Sequence, residues 1–176
     1  MKESLIFYLL PIIIGSNIIE LIIAGSWWPE YYRNGIRIYY KKSQFLGTAP
    51  NNLDEFVLSE AFKKKRAHSL VFKTIGDNEF AFREKIIQFI ALSPAVRFMH
   101  GNIKINYKVK TFELTGFLDW WVCVLITILV VTLINNLIFL VPIILTAYVI
   151  YLFETSEYNQ VARFVYEWNS RDWSNK

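Results

Sequence analysis

The chain has 176 residues, 54% hydrophobic and 17% aromatic, with 19% charged and a formal net charge of +4. Soluble domains average roughly 45–50% apolar and about 25% charged residues. The apolar content, together with 7 Gly, 5 Pro and 1 Cys, excludes disorder, a collagen-like repeat and a disulfide-stapled secreted fold.

The apolar excess sits in two blocks. The first, Leu5 to Gly25, reads LIFYLLPIIIGSNIIELIIAG, with Glu20 as its one charge. About 21 residues at ~1.5 Å each reach ~31 Å, close to the ~30 Å hydrocarbon thickness of a bilayer. This predicts a transmembrane helix over 4–26. A cleaved signal peptide is the competing reading. Lys2 is offset by Glu3, however, and the apolar run outlasts the usual ~7–15 residues, which favours a retained helix.

The region 27–116 carries 15 Lys+Arg against 8 Asp+Glu, so the basic character is localised there. It predicts a small α+β domain of antiparallel sheet plus helix. Tyr31 to Tyr40 holds Asn34-Gly35 between aromatic and β-branched runs, the signal of a hairpin. Ser43 to Asn51 reads as a loop. Asn52-Leu53-Asp54-Glu55 resembles a helix start, with the helix running to about Lys65 and Leu53, Phe56, Val57, Ala61 and Phe62 on one side. Ser69–Ile75 reads as a strand, Gly76-Asp77-Asn78 as a turn and Glu79 onward as the partner strand. Glu84–Leu92 fits either a strand continuation or a short helix. Val96–Met99, Asn102–Asn106 and Thr111–Leu114 read as three further strands, with turns at His100-Gly101 and Tyr107–Lys110.

The second apolar block, Phe117 to Phe153, is broken once by Asn135-Asn136, and its one charge is Asp119 at the start. One helix of this length would reach about 55 Å, too long for a single crossing. The block therefore predicts a transmembrane hairpin over 117–153 with its turn at 135–136, or a re-entrant hairpin, with Pro142 kinking its second arm. From Ser156 to about Asn169, Tyr158, Val161, Val165 and Trp168 recur at helical spacing opposite Glu157, Gln160, Arg163 and Glu167. This is an amphipathic tail helix within 154–176, suited to packing on protein.

Basic residues favour the cytoplasmic side of a membrane. Arg33, Arg37, Lys41, Lys42, Arg97, Lys104, Lys108, Lys110, Arg163 and Arg171 flank the blocks on one side, against Lys2 on the other. The sequence thus predicts a multi-pass integral membrane protein with its N-terminus outside and residues 27–116 and the C-terminus inside. Trp27, Trp28, Trp120 and Trp121, with Tyr31, Tyr32, Tyr148 and Tyr151, form the expected interfacial aromatic belt.

Glu20 is the leading candidate for a functional side chain, because a carboxylate in an apolar helix is costly. Ser16 and Asn17 lie one turn earlier on the same side, and Tyr148 is the expected hydrogen-bond partner. This cluster reads as glue between helices, as an ion path, or as a misplaced helix end. Lys63, Lys64, Lys65 and Arg66 could meet anionic lipid headgroups or form a solvated helix end, and their spacing disfavours nucleic acid. Cys123 reads as a packing residue.

His68 and His100 stand 32 residues apart without a nearby Cys, so no zinc site is expected. No phosphate-cradling glycine segment and no nucleophile elbow is present in the sequence, and no cofactor is expected. The leading functional expectation is a non-enzymatic binding or scaffold module tethered at a bilayer. The alternative is a subunit of an oligomeric pore using Glu20. The unpaired polar residues of the blocks and the stripe of the tail point to self-association or a membrane partner.

Overall fold

The structure, a computed structural model, describes residues 2–45, 53–63, 70–84, 100–133 and 137–168. The chain runs α1 (Lys2–Gly25), α2 (Pro29–Arg33), β1 (Ile36–Gln44), α3 (Glu55–Lys63), β2 (Leu70–Gly76), β3 (Glu79–Glu84), β4 (His100–Asn106), β5 (Thr111–Leu118), α4 (Trp120–Leu133) and α5 (Leu137–Tyr166). The strands form one antiparallel sheet in the order β1-β5-β4-β3-β2.

Period-two alternation sets the two faces of the sheet. Phe72, Phe82, Ile103, Ile105, Phe112 and Leu114 point to one face and pack against Leu58 and Phe62 of α3 and Tyr158, Val161 and Val165 of α5. A close approach is possible here because Gly101 and Gly116 are paired across β4 and β5. A Cβ on Gly116 would lie 2.3 Å from the Tyr158 ring, and one on Gly101 would lie 2.2 Å from the Thr115 carbonyl oxygen. The ring of Tyr158 thus fills the space that Gly116 leaves open, the Phe82 ring lies over Gly101, and the Tyr158 hydroxyl donates to the His100 carbonyl at 3.0 Å. On the other face, α2 lays Tyr31 and Tyr32 over Ala81.

Several expected elements are present: the strands at Leu70–Gly76 and Glu79–Glu84, and the chain running almost directly from β5 into α4. Others differ. Residues Pro29–Arg33 are helical instead of strand, because Pro29 opens a turn with Glu30 in it and Arg33 at its end. The Asn34-Gly35 step therefore links a helix to β1. α3 starts at Glu55, capped by Asp54, whose Oδ1 accepts from the Val57 amide at 2.8 Å. Its buried residues are Leu58 and Phe62, while Phe56 is exposed. His100-Gly101 lies within β4, and β5 extends to Leu118. Readings at Glu84–Leu92 past Glu84, at Val96–Met99 and at Asn135-Asn136 lie outside the described residues.

The expected membrane architecture is corrected. Among the described residues no helix is long and apolar enough to cross a membrane. α4 has 14 residues, which reach about 21 Å and fall short of a ~30 Å hydrocarbon layer. α5 has 30 residues, but its second part turns polar at Glu154 and Glu157 and packs on the sheet. α1 carries Pro11 within it and commits Glu20 to contacts inside the protein. The transmembrane helix at 4–26, the transmembrane hairpin, the integral multi-pass assignment and its orientation fall with that finding. What stands is a small α+β fold with a five-stranded antiparallel sheet.

The signals that suggested an orientation have local uses instead. Arg33 pairs with Glu79, Lys42 with Glu113, Lys104 with Glu79 and Arg163 with Glu167. In the expected aromatic belt, Trp27 stacks on Tyr32 and Trp120 meets the edge of Tyr31.

Candidate functional site

Glu20, Tyr31, His100 and Asp119 come from four places in the chain and meet where α1, α2, β4 and α4 converge. Glu20 is 4% exposed. Its Oε1 accepts from the Tyr31 hydroxyl at 2.5 Å and from the Trp120 amide at 2.8 Å. The second bond satisfies an amide in the first turn of α4, and a carboxylate there also suits the positive end of the helix dipole.

The Tyr31 ring stacks on His100 with centroids 4.3 Å apart. His100 Nδ1 is hydrogen-bonded to Asp119 Oδ1. The Tyr31 hydroxyl lies 3.5 Å from the same Asp119 oxygen. Burial, reinforced by Asp119 and Glu20, drives the Tyr31 hydroxyl far above the ordinary tyrosine range. It therefore stays protonated and works as a permanent donor between two acids.

A second layer secures the first. The Tyr32 hydroxyl donates to the Ala24 carbonyl at 2.9 Å, and Arg83 Nε donates to the same oxygen at 3.1 Å. The Arg83 guanidinium lies 4.5 Å from the centroid of the Trp27 ring. Burial raises the Tyr32 hydroxyl and lowers Arg83. Trp27, in the turn after α1, has φ 56°, a left-handed conformation unusual for a bulky residue, and its ring stacks on Tyr32 at 5.4 Å.

Towards the far end of the same face, charges alternate in register across four strands: Lys42, Glu113, Lys104 and Glu79. Lys42 Nζ lies 2.6 Å from Glu113, and Lys104 Nζ lies 3.4 Å from Glu79. Glu79 also accepts from Arg33 at 2.9 Å and from Asn102 at 3.1 Å. An open cleft of about 370 Å³ lies over this row.

The expected site residues scatter. Ser16 and Asn17 are half-buried on α1, and Tyr148 is 57% exposed on α5. Lys63 pairs with Glu60 at 2.7 Å, whereas Lys64, Lys65, Arg66 and His68 lie outside the described residues. Trp28 and Trp120 are half-exposed, and nothing is described of the Trp121 side chain. Cys123 donates its thiol to the Asp119 carbonyl at 3.6 Å.

Tyr31, His100 and the side-chain role of Asp119 were missed by sequence reasoning. The available signal was Asp119 directly before an apolar helix, with a histidine two strand lengths upstream.

The chemistry of the cluster is that of a tie. A His–carboxylate pair can serve as a general base when a substrate reaches its free nitrogen. Here His100 is 2% exposed, packed between Tyr31 and Phe117, and its Nε2 is buried with no hydrogen-bond partner among the described residues. Among the described residues, no group of three or more His, Cys, Asp or Glu could hold a metal ion. Comparison of the chain with protein-family models, curated proteins and solved structures gives no match.

Proposed function

We propose that this chain is a non-enzymatic binding module held against a lipid surface by its apolar helices. The observation that carries the reading is the outer surface of α1 and of the first part of α5. Ile14, Ile18, Ile19 and Ile22 on α1, and Val141, Ile144, Leu145 and Leu152 on α5, are 49–66% exposed. Monomeric proteins rarely leave contiguous apolar patches beyond a few hundred Å² uncovered.

Trp28 and Trp120, 49% and 44% exposed, stand between these helices and the sheet, where half-polar rings suit a headgroup boundary. The contact is attachment by apolar surface and needs no crossing helix. An ion path through Glu20 is less well supported, because that carboxylate is already engaged by Tyr31 and Trp120. The enclosure of His100 likewise supports a non-enzymatic role.

Flotation with neutral phosphatidylcholine vesicles tests the reading. The full chain should float with the vesicles equally at low and high salt, and brominated lipid should quench its tryptophans. A chain that stays monodisperse and lipid-free would overturn it.

A further inference from the structure

The two edges of the sheet are finished differently. At β2, the outward amides of Phe72 and Thr74 donate to Ser59 Oγ at 3.2 Å and Glu55 Oε2 at 2.8 Å, so α3 seals that edge. At β1, the Phe45 amide donates to the Lys110 carbonyl. With the β1/β5 register, this turns Ser43, Lys41 and Tyr39 towards β5 and leaves the amides of Tyr40, Lys42 and Gln44 facing outward. Among the described residues nothing bonds those three amides. Tyr40, Lys41, Lys42 and Gln44 are all exposed.

The open edge is also basic. Arg37, Lys41 and Lys42 lie on β1, and the sequence has no acid from Tyr31 to Leu53. Lysines on an edge strand ordinarily keep a second copy from pairing with it. The same charges admit a strand of opposite sign.

We propose that the β1 edge is a docking strand for an extended acidic peptide, added antiparallel as a sixth strand of the sheet. This names a partner for the binding module and rests on that reading, but not on lipid attachment. Side chains opposite one another across strands share a face. Two consecutive acids in the peptide would therefore meet Lys42 on one face and Lys41 on the other. The main-chain ladder would supply affinity and the charges selectivity. A second copy of β1 would bring lysines against lysines and is disfavoured.

The test uses the full chain in a neutral detergent without lipid, with fluorescent acetyl-TVEDVT-amide as the probe. Binding should weaken at least tenfold when the two acids are replaced by lysines or both valines by prolines. It should also fall with added salt, as exposed charges are screened. Lys41→Glu changes an exposed residue outside the ion pairs described and should lose the acidic peptide and gain the lysine version.

Hydrogen exchange adds a readout independent of any variant. The amides of Tyr40, Lys42 and Gln44 should exchange fast in the free chain and slow when the peptide binds, while Tyr39, Lys41 and Ser43 stay slow throughout. Equal binding to wild type and Lys41→Glu, or slow exchange at Tyr40, Lys42 and Gln44 before any peptide is added, would overturn the proposal. So would a Lys41→Glu variant that loses only a preference for anionic over neutral vesicles. Failure of vesicle flotation alone would count against lipid attachment and leave the docking strand standing.

Discussion

The two faces of the sheet are held by different physics. One face is a matter of shape: aromatic and aliphatic side chains from β2 to β5 interlock with α3 and α5, and Gly116 makes room for the ring of Tyr158. The other is a matter of polarity: Glu20, Tyr31, His100, Asp119 and Glu79 are buried or nearly so and are joined by directional bonds. The first face should tolerate changes of chemistry at constant volume and reject added volume. The second should tolerate small changes of volume and reject the loss of a donor.

The sharpest test of the shape face is Gly116→Ala. The new methyl would meet the Tyr158 ring at 2.3 Å, so a loss of about 3 kcal/mol or more is expected in denaturant unfolding. Adding Tyr158→Leu to Gly116→Ala should recover part of that loss, because the two sites are coupled. A Gly116→Ala chain that unfolds like the wild type would remove the steric account.

On the polar face, Tyr31→Phe keeps the ring and deletes the donor shared by Glu20 and Asp119. It should cost about 1.5–3 kcal/mol, the range for losing a hydrogen bond to a buried charged group. Tyr32→Phe, which removes a bond to the neutral Ala24 carbonyl, should cost less, about 0.5–1.5 kcal/mol. Equal losses would show that the charges add nothing.

Alkaline titration probes both faces at once. Burial raises the hydroxyls of Tyr31, Tyr32 and Tyr158 in the folded chain. A raised folded value means the native state holds protons that the unfolded chain releases near pH ~10. Their contribution is therefore fully present below pH ~10 and is lost as pH rises beyond it. The slope should be up to about 1.4 kcal/mol per pH unit for each tyrosine. In Tyr31→Phe the slope should be shallower by one proton, measured by denaturant midpoints between pH 8 and 11. An unchanged slope would show that Tyr31 ionises normally.

The smallest effect concerns Trp27, whose left-handed backbone suits glycine. Both Trp27→Ala and Trp27→Gly lose the stack on Tyr32 and the contact with Arg83. Only the glycine relieves the backbone, so it should be the more stable of the two by about 1 kcal/mol. The reverse order would mean that the left-handed conformation is not kept once the ring is removed.

Local pattern made much of the sheet readable. The strands flanking Gly76-Asp77-Asn78 follow from β-branched and aromatic runs around a turn. The stripe of Tyr158, Val161, Val165 and Trp168 was visible as helical spacing, and it proves buried within this one chain. With Glu20 also satisfied inside the chain, neither feature argues for self-association.

The partner of Glu20 was not readable. Depth along a helix pointed to Tyr148, whereas Pro29 starts a short helix that swings Tyr31 back beneath α1. The row Lys42–Glu113–Lys104–Glu79 depends on strand order, which no stretch of local sequence encodes. Hydropathy measured how apolar the two blocks are. It did not measure where the helices end or which of their polar residues are spent on the sheet.

The bond from the Trp120 amide to Glu20 spans 100 positions of sequence. Chains grow at roughly 5–20 residues per second, so on the ribosome Glu20 waits about 5–20 s for that amide to exist. Until then Glu20 has the Tyr31 hydroxyl, and the end of α1 has the bonds from Tyr32 and Arg83 to the Ala24 carbonyl, but nothing from α4. The last bond to Glu20 thus closes well after α1 is made, and it reports that α4 has been synthesised.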